Sequence, residues 1–307
     1  MTPALPPASV VIPLYNKEAE IGRALRSALA QTVPPAAILV VDDGSTDGGP
    51  AVVRSFGDPR IRLIRQENAG PSSARNRGIA EAPTELVALL DADDRWHPAF
   101  LQTVLDLHRR HPEAGLWGTG FSFVDSTDGR EIPFRFPGVP RGPAGGLVKD
   151  FFRSSLKAPL VCASGVLIRR AVLDDVGWFP EGVRIGEDFD LWIRIALKYP
   201  VAYQAAPLAI YHRDASNRAM NRERYAGRDT CIYRTLKKAL DEKNFGRARA
   251  KSLKLLFGTH LLEVARSAVA NGDGPLTFDL IRETWSYRVW PMRCLRRWLK
   301  ARRLFAP

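Results

Sequence analysis

Cysteine is scarce in this chain. The three cysteines, Cys162, Cys231 and Cys294, are far apart and odd in number. With no CxxC pair they argue against a disulfide framework or a zinc site and fit a reducing cytosol. Long apolar runs are missing too, and none approaches the roughly 18–20 residues a bilayer-spanning helix needs. The opening MTPALPPAS has neither the basic nor the apolar region of a secretory signal, so the expectation is a soluble, cytoplasmic protein. Glycine-rich phosphate motifs are lacking as well. No GxGxxG opens a helix after an early strand and there is no GxxxxGK[ST], which moves the reading away from nicotinamide chemistry and P-loop ATP hydrolysis.

What is present is an ordinary globular composition, 45% apolar and 25% charged over 307 residues, enough for one large domain with an appendage or for two. The net charge of +12 is unevenly placed: residues 221–307 hold 20 Lys+Arg against 8 Asp+Glu, while residues 1–220 balance at 25 each. That asymmetry suggests a neutral catalytic or binding body carrying a basic appendage.

In the first half two periodicities alternate. SVVIPL (9–14), ILVV (38–41), IRLI (61–64) and LVALL (86–90) read as short strands. Between the first two, Ile21, Ala24, Leu25, Ala28 and Leu29 fall on one helical stripe. Helices are also expected over 72–82 and 97–111, so strands and helices alternate as βαβ units with a parallel sheet. GLWGTGFSFVD (115–125) reads as an edge or mixed-sheet strand. Residues 133–146, with four prolines and four glycines, read as a loop. Further on, VCASGVLIRR and VAYQ read as strands and EDFDLWIRIALKY as a helix. From 219 onward the signals are helical only, broken near NGDGP (271–275).

Strands 38–41 and 86–90 both run into aspartates, and ligands of open α/β sheets bind beyond the carboxyl ends of the strands. In LLDADD, five apolar residues precede Asp91, Asp93 and Asp94. Like charges so close raise one another's pKa unless something positive intervenes. Hard oxygen donors point to Mg²⁺ or Mn²⁺, bridging to a diphosphate. VVDDGSTDGG (40–49) is either a strand-to-helix turn with a capping residue or a base or ribose contact through its carboxylates. In ENAGPSSARNRG (67–78), Arg75 and Arg77 face either phosphate or solvent. GEDFDLWIR (186–194) puts Glu187, Asp188 and Asp190 in a first helical turn, where dipole complement and general base are both open readings. A base there would have its pKa depressed by the dipole. His212 and Arg213 lie in a polar stretch after the last strand, and CASG (162–165) reads as strand and turn only.

In this order the motifs SVVIPLYN, LAQT, VVDDGSTD, NAGPSSARNRG, LLDADD and GEDFDLWIR resemble family-2 glycosyltransferases of the GT-A fold, over roughly residues 8–215. The resemblance implies an α/β fold with a mixed, mainly parallel nucleotide-binding sheet flanked by helices over 1–215; it does not cover 216–307, which the charge and the helical signals make a basic, all-helical C-terminal extension. It implies an inverting glycosyltransferase that moves a sugar from a nucleotide diphospho-sugar, a UDP-sugar by preference, to a hydroxyl of a saccharide or lipid-linked saccharide in surface polysaccharide or glycolipid assembly. Carried over residue by residue, Asp43 contacts the base, and Pro13, Tyr15 and Glu18 line the nucleotide pocket with Arg75 nearby. Asp91 and Asp93 match the DxD pair for ribose and the metal, a Mg or Mn cation, with Asp94 left without a role. Asp188 matches the catalytic base, Glu187 stands beside it, Trp178 walls the acceptor, and Arg213 with His212 falls where phosphate is contacted.

Two other classes share some of these features: a nucleotidyltransferase, and a non-catalytic nucleotide-sugar-binding protein at a membrane. The basic C-terminal run, with Leu295, Trp298 and Leu299 among arginines, reads equally as an interfacial helix drawn to anionic lipid at the inner face of the cell membrane or as a solvated or dimer-forming face. Nucleic acid is the weaker partner, because no recognised nucleic-acid module is present.

Overall fold

The structure is a computed structural model that describes residues 5–124, 128–212, 224–242 and 244–287. Arg213 and the basic run from 288 onward lie outside the described residues. The chain opens β1 (Ala8–Leu14), α1 (Ile21–Leu29), β2 (Ala37–Asp43), α2 (Gly49–Ser55), β3 (Ile61–Gln66), α3 (Pro71–Glu81) and β4 (Leu86–Leu89). These four strands are parallel neighbours in the order β3-β2-β1-β4. The chain leaves β1 toward one side of the sheet and returns to β4 on the other, which opens a crevice at the carboxyl ends of β1 and β4. Every residue of β2 is buried, as a strand covered on both faces must be, whereas the edge strand β3 alternates.

Beyond β4 the sheet turns mixed. After β5 (Arg95–Trp96) and α4 (Phe100–Arg110) come β6 (Leu116–Val124), β7 (Glu131–Pro133), β8 (Gly146–Leu147) and α5 (Phe151–Ser154). Then follow β9 (Val166–Arg169), α6 (Arg170–Val176), α7 (Glu187–Lys198) and β10 (Val201–Tyr211). The sheet continues β4-β9-β6-β10-β5, with β9 antiparallel to β4 and β6, and β6 parallel to β10. The strand expected at an edge or in a mixed sheet, β6, lies between β9 and β10. The other run, VAYQ, extends well past its expected end to Tyr211. The register shifts between Gln204, Pro207 and Ala209. A bulge there absorbs the proline and alanines that had hidden the rest of the strand. The extension carries His212 to the carboxyl edge.

One glycine sets the distance between sheet and helix. A Cβ on Gly78 would lie 2.5 Å from Val11 Cγ1 and 3.1 Å from Val41 Cγ2, so α3 seats directly on β1 and β2. That seating aims Arg75, one turn earlier, into the crevice.

The C-terminal helices α8 (Cys231–Glu242), α9 (Arg247–Ala270) and α10 (Gly274–Ser286) share the core of the sheet domain. Leu236, Leu253, Leu256, Phe257, Leu261 and Leu280 belong to one continuous apolar cluster with β1 and α7. Thr235 Oγ1 donates to Asp190 Oδ1 of α7 at 2.6 Å, Ser252 Oγ donates to Asp150 Oδ2 at 2.6 Å, and Arg249 caps the carbonyls of Ala196 and Leu197. Among the described residues no helix is long and apolar enough to cross a membrane.

Candidate active site

The acidic turn is built as a knot. Leu90 N still donates to Val11 O, so the backbone is held up to the first carboxylate. Asp91 N donates to Ser164 Oγ at 3.1 Å, and the same hydroxyl donates to Asp94 Oδ2 at 2.6 Å. His212 N donates to Asp94 Oδ1 at 3.1 Å, while its ring accepts from Arg95 Nε. Asp94 is fully buried, and burial together with Asp93 and Asp91 pushes its carboxyl well above the usual range. Its hydrogen bonds tie the turn to the end of β10 and to the short turn Ala163–Gly165. CASG, read as strand and turn only, supplies the hydroxyl at the centre of the knot.

Asp91 Oδ1 accepts from Arg75 Nη2 at 2.8 Å, and Arg75 Nη1 donates to Glu187 Oε1 at 2.9 Å. The guanidinium is 5% exposed and lies 5.5 Å from the Phe179 ring centroid. Burial alone would weaken its charge, but Asp91 and Glu187 outweigh burial and raise its pKa. One arginine therefore spans from the strand-end turn to the N-terminus of α7, and Arg75 reaches these carboxylates instead of standing on a solvated helix face. Arg77 does pair on the surface, with Glu81 and the carbonyl of Arg65.

Asp93 Oδ2 pairs with Lys17 Nζ at 2.8 Å, and Arg23 Nη2 donates to the Asp93 carbonyl at 2.6 Å. Two of the carboxylates thus find their positive partners in the chain itself, where the sequence pointed to a cation alone. Among the described residues no group of three or more His, Cys, Asp or Glu side chains is arranged to hold a metal ion. Lys17 directly follows SVVIPLYN, and nothing in its residue type or spacing marks Asp93 as its partner.

Asp188 is in the first turn of α7, beside Glu187. Its pKa is raised to about 7, first by burial and next by the charge of Glu187, with Arg75 pulling the other way. The expected depression by the helix dipole is overturned, because withdrawal from water and an adjacent carboxylate outweigh a fractional dipole charge. Gly186 before it has φ +82°, and a Cβ there would meet Ile232 Cδ1 and Tyr225 Oη at 2.9 Å. The entry to α7 is therefore fitted against the C-terminal helices.

At the carboxyl end of β1, Pro13 is in register with Val41 one residue before the strand ends, and Tyr15 beyond it is 46% exposed. Glu18 Oε2 accepts from Gly48 N at 2.9 Å, so it fastens the loop after β2. Asp43 is buried and already accepts from Gln66 Nε2, Ala69 N and Gly70 N at 2.8–2.9 Å. It retains one acceptor position at most, since each carboxylate oxygen offers about two. Trp178 stands apart. Its indole donates to Asp174, and it faces a shallow surface hollow with Asn76, Arg77 and Glu181. The neighbouring Phe179 is the one turned toward Arg75, as alternation along an extended segment requires.

An α/β crevice with paired carboxylates at its strand ends and a carboxyl in the first turn of a facing helix lies on a GT-A-like fold. The profile of glycosyl transferase family 2 matches residues 9–177, and the chain belongs to that family. It is 34% identical over 205 residues to the succinoglycan biosynthesis protein ExoU of Rhizobium meliloti, covering 63% of this chain and 58% of that one. To the glycosyltransferase AglE of Haloferax volcanii it is 31% identical, covering 61% and 60%. The chain thus spans less than two thirds of these relatives' lengths. Among solved structures, S. aureus TarS 1–349 in complex with UDP-GlcNAc superposes with a TM-score of 0.71 at 18% identity, over 94% of this chain and 82% of that one. That likeness shows the fold, including the helical C-terminal region.

Proposed function

We propose that the protein transfers a sugar from a nucleotide diphospho-sugar, a UDP-sugar, to a saccharide or lipid-linked acceptor hydroxyl, in the assembly of a surface polysaccharide or glycolipid. The observation that carries this reading is the Arg75 bridge. It holds the donor-side carboxylate Asp91 and the acceptor-side Glu187, neighbour of Asp188, at opposite ends of one buried guanidinium. Asp188, near pH 7, is poised to take the acceptor's hydroxyl proton. The hydroxyl oxygen forms its bond to the anomeric carbon on the face opposite the diphosphate. The bond from that carbon to the phosphate oxygen breaks, its electron pair leaves with the nucleoside diphosphate, and one displacement inverts the centre. In this reading Tyr15 and Asp43 contact the base, and Pro13 and Glu18 line the pocket wall.

The hard oxygens of Asp93 and Asp91, with side chains 14% and 25% exposed, fit a Mg²⁺ or Mn²⁺ ion that takes its other ligands from phosphate and water. Such an ion neutralises charge on the departing diphosphate. A basic C-terminal run docking on anionic lipid suits a lipid-linked acceptor, and co-sedimentation with anionic vesicles tests that part separately.

The test is a panel of nucleotide diphospho-sugars with Mn²⁺ or EDTA, read by thermal shift and slow donor hydrolysis. A metal-dependent shift with one UDP-sugar, and hydrolysis lost in Asp188→Asn, supports transfer. Binding without turnover by either form supports a non-catalytic binding protein, and nucleotide incorporation into product supports a nucleotidyltransferase.

A further inference from the structure

Lys17 is aimed by a loop built for the purpose. Asn16 sits at φ +51°, a conformation few non-glycine residues adopt. Its backbone N donates to Ser45 Oγ at 3.1 Å and its Oδ1 accepts from Thr46 N at 2.8 Å. On the other side, Glu18 N donates to Asp47 Oδ2 at 2.8 Å and Glu18 Oε2 accepts from Gly48 N at 2.9 Å. The backbone around Lys17 is thus clamped to the loop after β2, and its side chain crosses the crevice to Asp93. There the ammonium and the carboxylate are only 12% and 14% exposed. A stray surface lysine would trade this ordering for hydration, since exposed ion pairs offset little of the side-chain entropy they cost.

We propose that Lys17 is a built-in competitor for the cation. In the donor-free protein its ammonium holds the Asp93 oxygen that a divalent ion would take. It releases that oxygen only when a nucleoside diphosphate offers Lys17 an alternative anion. The cation then enters as a complex with the diphosphate, and donor and metal binding become one event. The inference rests on reading Asp93 as the cation ligand. It adds an order of binding to that reading and assigns the residue that imposes it.

The test is Mn²⁺ binding to the full chain, followed by loss of the free-ion EPR signal, with and without UDP. Wild type, Lys17→Met, Lys17→Gln and Arg23→Gln are compared. Arg23 Nη2 donates to the Asp93 carbonyl, so Arg23→Gln removes an equal charge while leaving the Lys17 pair in place. Wild type should take up Mn²⁺ weakly alone and strongly with UDP. Both Lys17 variants should bind Mn²⁺ alone at least about tenfold more tightly, with the dependence on UDP largely lost, whereas Arg23→Gln should move by about threefold or less. If wild type binds Mn²⁺ with UDP and the Lys17 variants behave like wild type or like Arg23→Gln, Lys17 is no competitor and the inference is overturned while the cation reading stands. If no form binds Mn²⁺ even with UDP, the cation reading falls and takes the inference with it.

Discussion

The two residues that flank Asp188 electrically should move its titration in opposite directions. Glu187 raises the Asp188 pKa and Arg75 lowers it. Two unit charges about 6 Å apart, at an effective dielectric constant of about 20, interact by about 3 kcal/mol, or about two pH units. The crevice is partly open to water, so roughly one unit is the expected observable. In wild type the rate of donor hydrolysis should climb with pH through a limb near 7, since the base works deprotonated and its pKa is about 7. Glu187→Gln removes the like charge and should bring the limb down toward pH 6. Arg75→Met removes the opposite charge and should carry it up toward pH 8.

The assay is initial hydrolysis rate of the donor that the panel identifies, between pH 5.5 and 9, at saturating cation. Each variant's folding is checked at every pH by thermal melting. Opposite shifts of about one unit support Asp188 as the titrating base with this pair as its field. A limb that stays within about 0.3 unit of wild type in both variants, or moves the same way in both, refutes the electrostatic account. The same limb would then belong to another group, and Asp188→Asn, with residual activity retaining an unshifted limb, would show it.

Other consequences are open to measurement. Asp188 holds its proton more tightly folded than unfolded, so its contribution to stability is present below about pH 4 and lost as pH rises through about 7. Urea unfolding should show that decline in wild type and a flatter profile in Asp188→Asn. Ser164→Ala strips the hydroxyl from between Asp91 N and Asp94 and should cost about 1–3 kcal/mol in the same measurement. Gly78→Ala forces a methyl into Val11 and should cost about 1–3 kcal/mol, with a drop in nucleotide affinity as α3 lifts Arg75. Gly186→Ala combines a left-handed backbone with contact against Ile232 and Tyr225. It should lose about 2 kcal/mol, and thermal melting would read it.

The parts of this molecule that periodicity reveals are those in which each residue answers to its own neighbours. The parallel strands β1, β2 and β4 were legible because buried strands are continuous apolar runs, β3 because its apolar residues alternate with polar ones, and α1 and α7 because a stripe repeats along one face. The second half of β10 was not, because AAPLA has no strand propensity of its own and is held by pairing with β6 across a bulge. Likewise, residue types in LLDADD and GEDFD revealed where charge gathers, but not which partner each carboxylate takes. Those partners come from Lys17, Arg75 and Ser164, at 76, 16 and 73 residues' separation from the carboxylates or amides they meet. No spacing rule reaches that far.

The C-terminal quarter shows the same limit at a larger scale. Its charge count suggests a neutral body with a basic appendage, and among the described residues several of its basic side chains pair locally with the few acids present. Lys237 pairs with Asp241, Arg234 with Asp229, Arg266 with Glu263 and Arg282 with Asp279, all on the solvent side. The inward faces of these helices do something composition does not register. Ile232 and Tyr225 close over Gly186, Cys231 leans on its carbonyl, and Thr235 holds Asp190. Those contacts fix the first turn of α7 and hence the height at which Asp188 and Glu187 meet Arg75. The helix that carries the base-like carboxyl therefore packs against α5 and α6 and against the first C-terminal helix, α8. A truncation after β10 would remove half of its support, so it should impair the site through α7 even though every residue of the family motifs remained.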